Sequence, residues 1–171
     1  MKKIFLLFTA AVLSAGMAFA QDINQATELY NNGAMELEMG NTAAALENFQ
    51  NALAMAETLG DEGADMVSNC KTYIPKLMIS IAKGLVKEEN YDAAAEQLAK
   101  TVETANLYEA ADVAEEATEL IPQVYVSKGN GFLTAKNFPE AEAAYKKALE
   151  LDATNGMAAF RLGQALQQQN K

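Results

Sequence analysis

The 171-residue chain has no histidine, one cysteine, three prolines and 13 basic residues against 23 acidic ones. Each shortage removes a class of chemistry. Without histidine the commonest general base and metal ligand is missing. That excludes histidine-assisted serine or cysteine nucleophiles and every His-containing zinc motif. A lone Cys70 cannot close an internal disulfide. It could bridge two chains in an oxidising compartment, but beside Val67 and Ile74 on a helix it reads better as a small buried apolar residue. A formal charge of −10 argues against nucleic acid, whose phosphate backbone calls for a basic footprint. Few prolines, few β-branched runs and abundant alanine favour helix over strand.

The first twenty residues stand apart from the rest. Lys2 and Lys3 precede an uncharged apolar run from Ile4 to Met17, and Ala18-Phe19-Ala20 supplies small residues where a signal peptidase reads them. The run is short for a bilayer span. Residues 1–20 are therefore expected to be a cleaved secretory signal peptide, and residues 21–171 a single helical domain starting at Gln21. Losing Lys2 and Lys3 takes the charge from −10 to −12. No cysteine follows the cut, so lipid attachment at a new N-terminal cysteine is excluded, and no later stretch is apolar enough to span a membrane. The expected location is periplasmic or secreted, after cleavage at Ala20/Gln21.

One pattern is written three times. Asn41, Ala45, Phe49, Ala52 and Leu53 are matched by Asn90, Ala94, Leu98, Thr101 and Val102, then by Asn137, Ala141, Tyr145, Ala148 and Leu149. A turn residue is followed by alanine, a large apolar side chain, and a small and a branched one, all on one stripe of a helix. A unit of this kind buries its apolar face only by stacking on its neighbours. The helices are expected at about Ile23–Met39, Thr42–Leu59, Asp61–Glu88, Tyr91–Asn106, Glu109–Lys136, Pro139–Leu151 and Met157–Gln168. Gly60 is read as a left-handed stop. Ile74-Pro75 and Ile121-Pro122 lie 47 residues apart, as do Asn90 and Asn137. Each proline is expected to kink or divide its helix.

Gly33 to Asn41 with Ala45, Phe49, Ala52 and Leu53 resembles a tetratricopeptide repeat. So does Gly129 to Asn137 with Phe138, Ala141, Tyr145, Ala148 and Leu149, and Met157 to Gln168 resembles the first helix of a further repeat. The middle unit departs, with Ala82 where glycine is often found and Thr101 for an alanine. The family period is about 34 residues. Here the first two spacings are 49 and 47, and only Gly129 to Gly163 is 34. The resemblance implies an all-α fold, an α-solenoid of about three helix pairs with a C-terminal capping helix. Gly33, Ala82, Gly129 and Gly163 are expected where paired helices come close, with Phe49, Leu98 and Tyr145 filling the space between. Gln167, Gln168, Gln169 and Asn170 would give the last helix a polar outer side.

Other chemistry finds little support. Glu115, Glu116 and Glu119 read as a solvated helix face. Gly129-Asn130-Gly131 follows no strand, so it is no phosphate cradle. Met35, Met39, Met55 and Met78 read as core filler rather than a metal site. No cofactor and no metal is expected, and the chain is not read as an enzyme. Lys76, Ser80, Lys83 and Lys87 share one helix face beside Ile79. Position-matching to the family implies a concave groove lined by Tyr30, Asn31, Lys76, Ile79, Ser80, Lys83, Val126, Ser127, Asn130, Phe160, Arg161 and Gln164, with Lys87 continuing the lysine stripe. The lysines and Arg161 point to an acidic peptide partner, and the plainer alternative is that they are ordinary solubilising charges. The lysine–asparagine clamp of chaperone-binding relatives is not reproduced, with Tyr30 and Ala34 where its first groups would lie. The function expected is a scaffold or adaptor of the bacterial periplasm or cell envelope, binding a protein or peptide and no nucleic acid. The alternative is a structural envelope protein that self-associates as a homo-oligomer. An envelope hydrolase using paired carboxylates is the least supported reading.

Overall fold

The computed structural model describes residues 22–170, so the expected signal segment lies outside the described residues. Helix α1 covers residues 22–38. It is followed by α2 (Thr42–Ala56), a 3₁₀ segment (Glu57–Gly63), α3 (Ala64–Lys87), α4 (Tyr91–Leu107), α5 (Ala111–Thr134), α6 (Phe138–Leu151) and α7 (Gly156–Gln168). No strand occurs among the described residues, and none of their helices is long and apolar enough to cross a membrane. The fold is all-α, a helical repeat of the α-solenoid class. The chain divides into two compact units, one ending at Leu77 and one starting at Met78.

In the first unit the core gathers around Phe49. Gly33 on α1 faces its ring, and a Cβ there would come within 3.2 Å of it. Tyr30 meets the same ring edge-on at 5.2 Å, and Tyr73 stacks on it at 5.4 Å. Ala45, Ala52, Leu53, Cys70 and Ile74 complete the buried set. Burying a phenylalanine contributes about 1.5–3 kcal/mol, and aromatic pairs add roughly 0.5–1.5 kcal/mol.

In the second unit, Leu98 on α4 lies among Ile79, Ala82, Val113, Ala117 and Val124. Tyr145 on α6 lies among Val126, Ala141, Ala148, Ala158 and Ala165. Gly129 is the close approach: a Cβ would fall 2.5 Å from the Tyr145 ring. Thr101 takes the place of Ala52 and Ala148 without leaving an orphaned hydroxyl, because it donates back to the Gln97 carbonyl at 2.8 Å.

Four turns share one construction. Gly40, Glu89, Glu109 and Lys136 all have positive φ. The next amide returns to a carbonyl five residues back: Asn41 to Glu36, Asn90 to Leu85, Ala110 to Ala105 and Asn137 to Phe132. This double-bonded stop satisfies carbonyls that a helix end would otherwise leave open. Asn41, Asn90 and Asn137 thus recur at the exit of one helix and the entry of the next, and none caps with its side chain. Asn155 does cap, its Oδ1 accepting from the Ala158 amide at 3.0 Å.

The structure narrows or overturns expectation in four places. Of the two outcomes expected at the prolines, a kink or a division, division does not occur: α3 and α5 run on through Pro75 and Pro122. Both rings are buried, so apolar packing offsets the hydrogen bond that each proline removes. The α2 helix stops at Ala56, and Gly60, with φ 61, turns inside the 3₁₀ segment that follows. Met35 and Met39 are exposed rather than core filler, although Met78 is buried. Gly163 meets nothing within 4 Å, unlike Gly33 and Gly129.

The ring-on-glycine packing sets a test. Gly129→Leu should destabilise by about 1–3 kcal/mol through overpacking. Phe49→Ala should cost about 3–5 kcal/mol by opening a cavity. Denaturant melts should show both, and parental stability in both variants would rule out the repeat packing.

Candidate functional site

The sequence-predicted groove residues fall on both sides of the division at Leu77, with Tyr30, Asn31 and Lys76 in the first unit and the others in the second. In the first unit Tyr30 is half-buried against Phe49, which uses its ring in the core. Burial raises its phenol pKa above the ordinary tyrosine value, with Tyr73 and Cys70 adding to the effect. Asn31 and Lys76 are exposed.

In the second unit the repeat places α3 and α5 side by side, with α4 behind. Between them lies a hollow of about 140 Å³ lined by Ala82, Lys83, Val86, Leu98, Leu120, Gln123, Val124 and Ser127. Its floor is aliphatic, because Ala82, Leu98 and Val124 belong to the core. Its polar lining is Lys83, Gln123 and Ser127, with no carboxylate. Lys83 Nζ donates to Glu116 Oε1 at 2.8 Å, and both side chains are about half exposed. A pair so exposed is worth little, about 0–1 kcal/mol.

Of the predicted lining, the structure brings Lys83 and Ser127 together in this hollow. Ser80 is exposed on the same helix, and Lys87 is exposed at its end. Ile79 and Val126 do not present open side chains. They are 4% and 9% exposed and sit in the two core clusters. Position-matching put them on an open face, whereas their apolar bulk is used between neighbouring helices. Asn130 is also engaged: its Oδ1 accepts the Tyr145 hydroxyl at 2.8 Å, locking the ring over Gly129. Arg161 and Gln164 are half-buried on α7, joined by a 3.0 Å bond from Nη1 to Oε1, and Phe160 beside them is exposed. Burial raises the Tyr145 phenol pKa, against a smaller lowering by Arg161.

Sequence reasoning missed Gln123, Val86 and Leu120. Gln123 was within reach, standing 47 residues after Lys76 at the repeat's own spacing. Glu116 carried no such signal, since its meeting with Lys83 depends on how α3 and α5 are set together. Glu115 and Glu119 are exposed with it, as a solvated face should be. Among the described residues no three of His, Cys, Asp or Glu converge where they could hold a metal ion.

Residues 126–171 match the family model of the tetratricopeptide repeat. The matched segment takes in the end of α5, all of α6 and all of α7. No curated protein matches the chain. A similar solved structure is the first tetratricopeptide repeat domain of Spaghetti (RPAP3) bound to the HSP90 peptide SRMEEVD. It is 17% identical, with 86% of this chain and 95% of that chain covered, at a TM-score of 0.32.

Cys70 supplies a test of the interior. It is fully buried, and desolvation pushes its thiol up to about 11. Only thiolate is nucleophilic, so a raised pKa leaves Cys70 protonated and inert at mildly alkaline pH. Iodoacetamide at pH 8 should leave the native protein unmodified and label it fully in denaturant. Rapid labelling of the native chain would place Cys70 at the surface.

Proposed function

With residues 126–171 a tetratricopeptide repeat, we propose that this protein is a non-catalytic adaptor of the bacterial periplasm or cell envelope, holding a peptide segment of a partner protein. The carrying observation is the hollow between α3, α4 and α5. At about 140 Å³ it is smaller than the roughly 300–1,000 Å³ of small-molecule sites. It suits an apolar side chain of a peptide, with Lys83, Gln123 and Ser127 placed to bond the peptide's polar groups. The absence of a carboxylate in its lining supports binding over carboxylate chemistry. Helices fixed by a packed core hold the hollow open, so binding carries little ordering cost on this side.

An acidic segment fits best. A partner carboxylate can replace Glu116 on Lys83 at small cost, because the existing pair is exposed. Lys76 and Lys87 extend the positive stripe along α3 in an otherwise acidic protein. The envelope location rests on Lys2, Lys3, the apolar run and Ala18-Phe19-Ala20. Intact mass of protein recovered from the producing cell's envelope should show a chain starting at Gln21, and retention of residues 1–20 would make the segment an anchor instead.

The binding test uses that mature chain as bait in envelope extracts. Val86→Glu should abolish capture of the partner by filling the hollow with charge. Lys76, Lys83 and Lys87 all changed to glutamate should weaken capture, and added salt should weaken binding to the parent. Lys146 and Lys147 changed to glutamate should leave it intact. Circular dichroism should be unaltered in the lysine variants, since glutamate and lysine are equally good helix formers, and it should show Val86→Glu still helical, because Val86 is only partly buried. Capture that survives Val86→Glu would move the site elsewhere.

A further inference from the structure

Two complete helix pairs close in the same way. An aromatic ring lies over a glycine 16 residues earlier, Phe49 over Gly33 and Tyr145 over Gly129. Helix α7 repeats the register of α5 at a distance of 34 residues, so Gly163 corresponds to Gly129 and Phe160 to Val126. Its surroundings differ. Nothing lies within 4 Å of a Cβ on Gly163. Phe160 is 62% exposed where Val126 is 9%, and Met157 beside it is 56% exposed. Ala159 is exposed as well. The polar cap expected of the last helix is confined to its end, at Gln167 and Gln168. Its first three turns present an apolar arc with a notch at Gly163.

The same arc carries both halves of a contact. Phe160 is a ring without a glycine, and Gly163 is a glycine without a ring, one helical turn apart. We propose that α7 pairs with α7 of a second copy of this chain, antiparallel about a two-fold axis, each Phe160 lying over the partner copy's Gly163. A two-fold interface needs one patch complementary to itself, and this patch is. Antiparallel helices with a ring on a glycine are also how the pairs inside the chain are closed.

Charge permits the contact at short range and opposes it at long range. Arg161 is the sole charged residue of Gly156–Gln168, and it bonds Gln164 of its own helix. Two mature chains, each at −12 once Lys2 and Lys3 are gone, nevertheless repel as they approach. One helix face is also smaller than the roughly 1,200–2,000 Å² that stable interfaces bury. The dimer is therefore weak, reversible and favoured by salt. That last sign separates it from attraction of an acidic partner helix to Arg161, which salt would weaken.

Sedimentation velocity over a concentration series of the mature chain tests this. The expected result is a monomer–dimer equilibrium that shifts toward dimer as sodium chloride rises. Phe160→Glu and Gly163→Leu should each weaken dimerisation at least tenfold. Neither should lower the melting temperature, since both positions are open, and leucine at Gly163 should raise it through better helix propensity. Val86→Glu, which disables the proposed peptide site, should leave the dimer unchanged. A monomer at every concentration and salt would overturn the proposal. So would a dimer indifferent to both α7 variants, one that Val86→Glu dissociates, or one that salt dissolves.

Discussion

A glycine on one helix lets an aromatic ring on its partner lie against bare backbone, and the rest of the fold is arranged around that approach. At Gly129 the fit is so close that a single added carbon would sit 2.5 Å from the Tyr145 ring. The ring cannot slide away, because its hydroxyl is bonded to Asn130 on the same helix as the glycine. At Gly33 the clearance is larger, and the Phe49 ring is held by Tyr30 and Tyr73 instead. Two solutions thus fix one geometry, one by a hydrogen bond and one by stacked rings. The middle pair has no glycine in this place. Ala82 stands there and Leu98 replaces the ring, so a slightly larger residue on one helix is met by a smaller side chain on the other.

Such close pairs demand short and repeatable turns, because a slip of one residue would rotate the ring off the glycine. The recurring backbone stop at Gly40, Glu89, Glu109 and Lys136 supplies that register. Only the first is a glycine. The others hold a left-handed conformation that costs an L-residue roughly 1–2 kcal/mol, and the paired hydrogen bonds at each turn offset it. Sequence inspection marks the asparagine after each of Gly40, Glu89 and Lys136 as a turn residue, which is correct. It does not reveal that the strained residue is the one before, since glutamate and lysine carry no turn signature.

Features that depend on local spacing were legible in the sequence. The stripe through Ala45, Phe49 and Ala52 and its two echoes located α2, α4 and α6, and the 34-residue step from Gly129 to Gly163 set α7 in the register of α5. Features that depend on what lies opposite were not. Pro75 and Pro122 leave a kink and a division equally open, because the sequence shows the lost hydrogen bond but hides the burial of the rings that keeps each helix continuous. Ile79 and Val126 were matched to an open face, yet both are enclosed by neighbouring helices. Gly163 was assigned a close approach by analogy, and its partner ring is missing. In the candidate site, Lys83 and Ser127 were found by position, while the aliphatic floor and Glu116 emerged only from the packing.

The distribution of charge then decides which surfaces can associate. Lys83, Lys100, Lys128, Lys146 and Lys147 each meet a carboxylate, at Glu116, Glu96, Asp92, Glu142 and Glu150. The pairs exposed on both sides, at Lys83, Lys100 and Lys147, contribute little to stability. Their effect is to cancel local fields, so the excess of carboxylates over bases remains as a diffuse negative potential. That potential reaches about one Debye length, roughly 8–10 Å at physiological salt, and it discourages any acidic body from approaching at random. The hollow between α3 and α5 has no carboxylate in its lining, and the open arc of α7 has no acidic residue at all. They are windows in an acidic surface where short-range packing can outweigh repulsion. Their chemistry still differs. The proposed peptide site offers a lysine whose present partner is exposed and exchangeable, as an incoming carboxylate would require, whereas the proposed dimer contact offers ring and glycine and depends on shape.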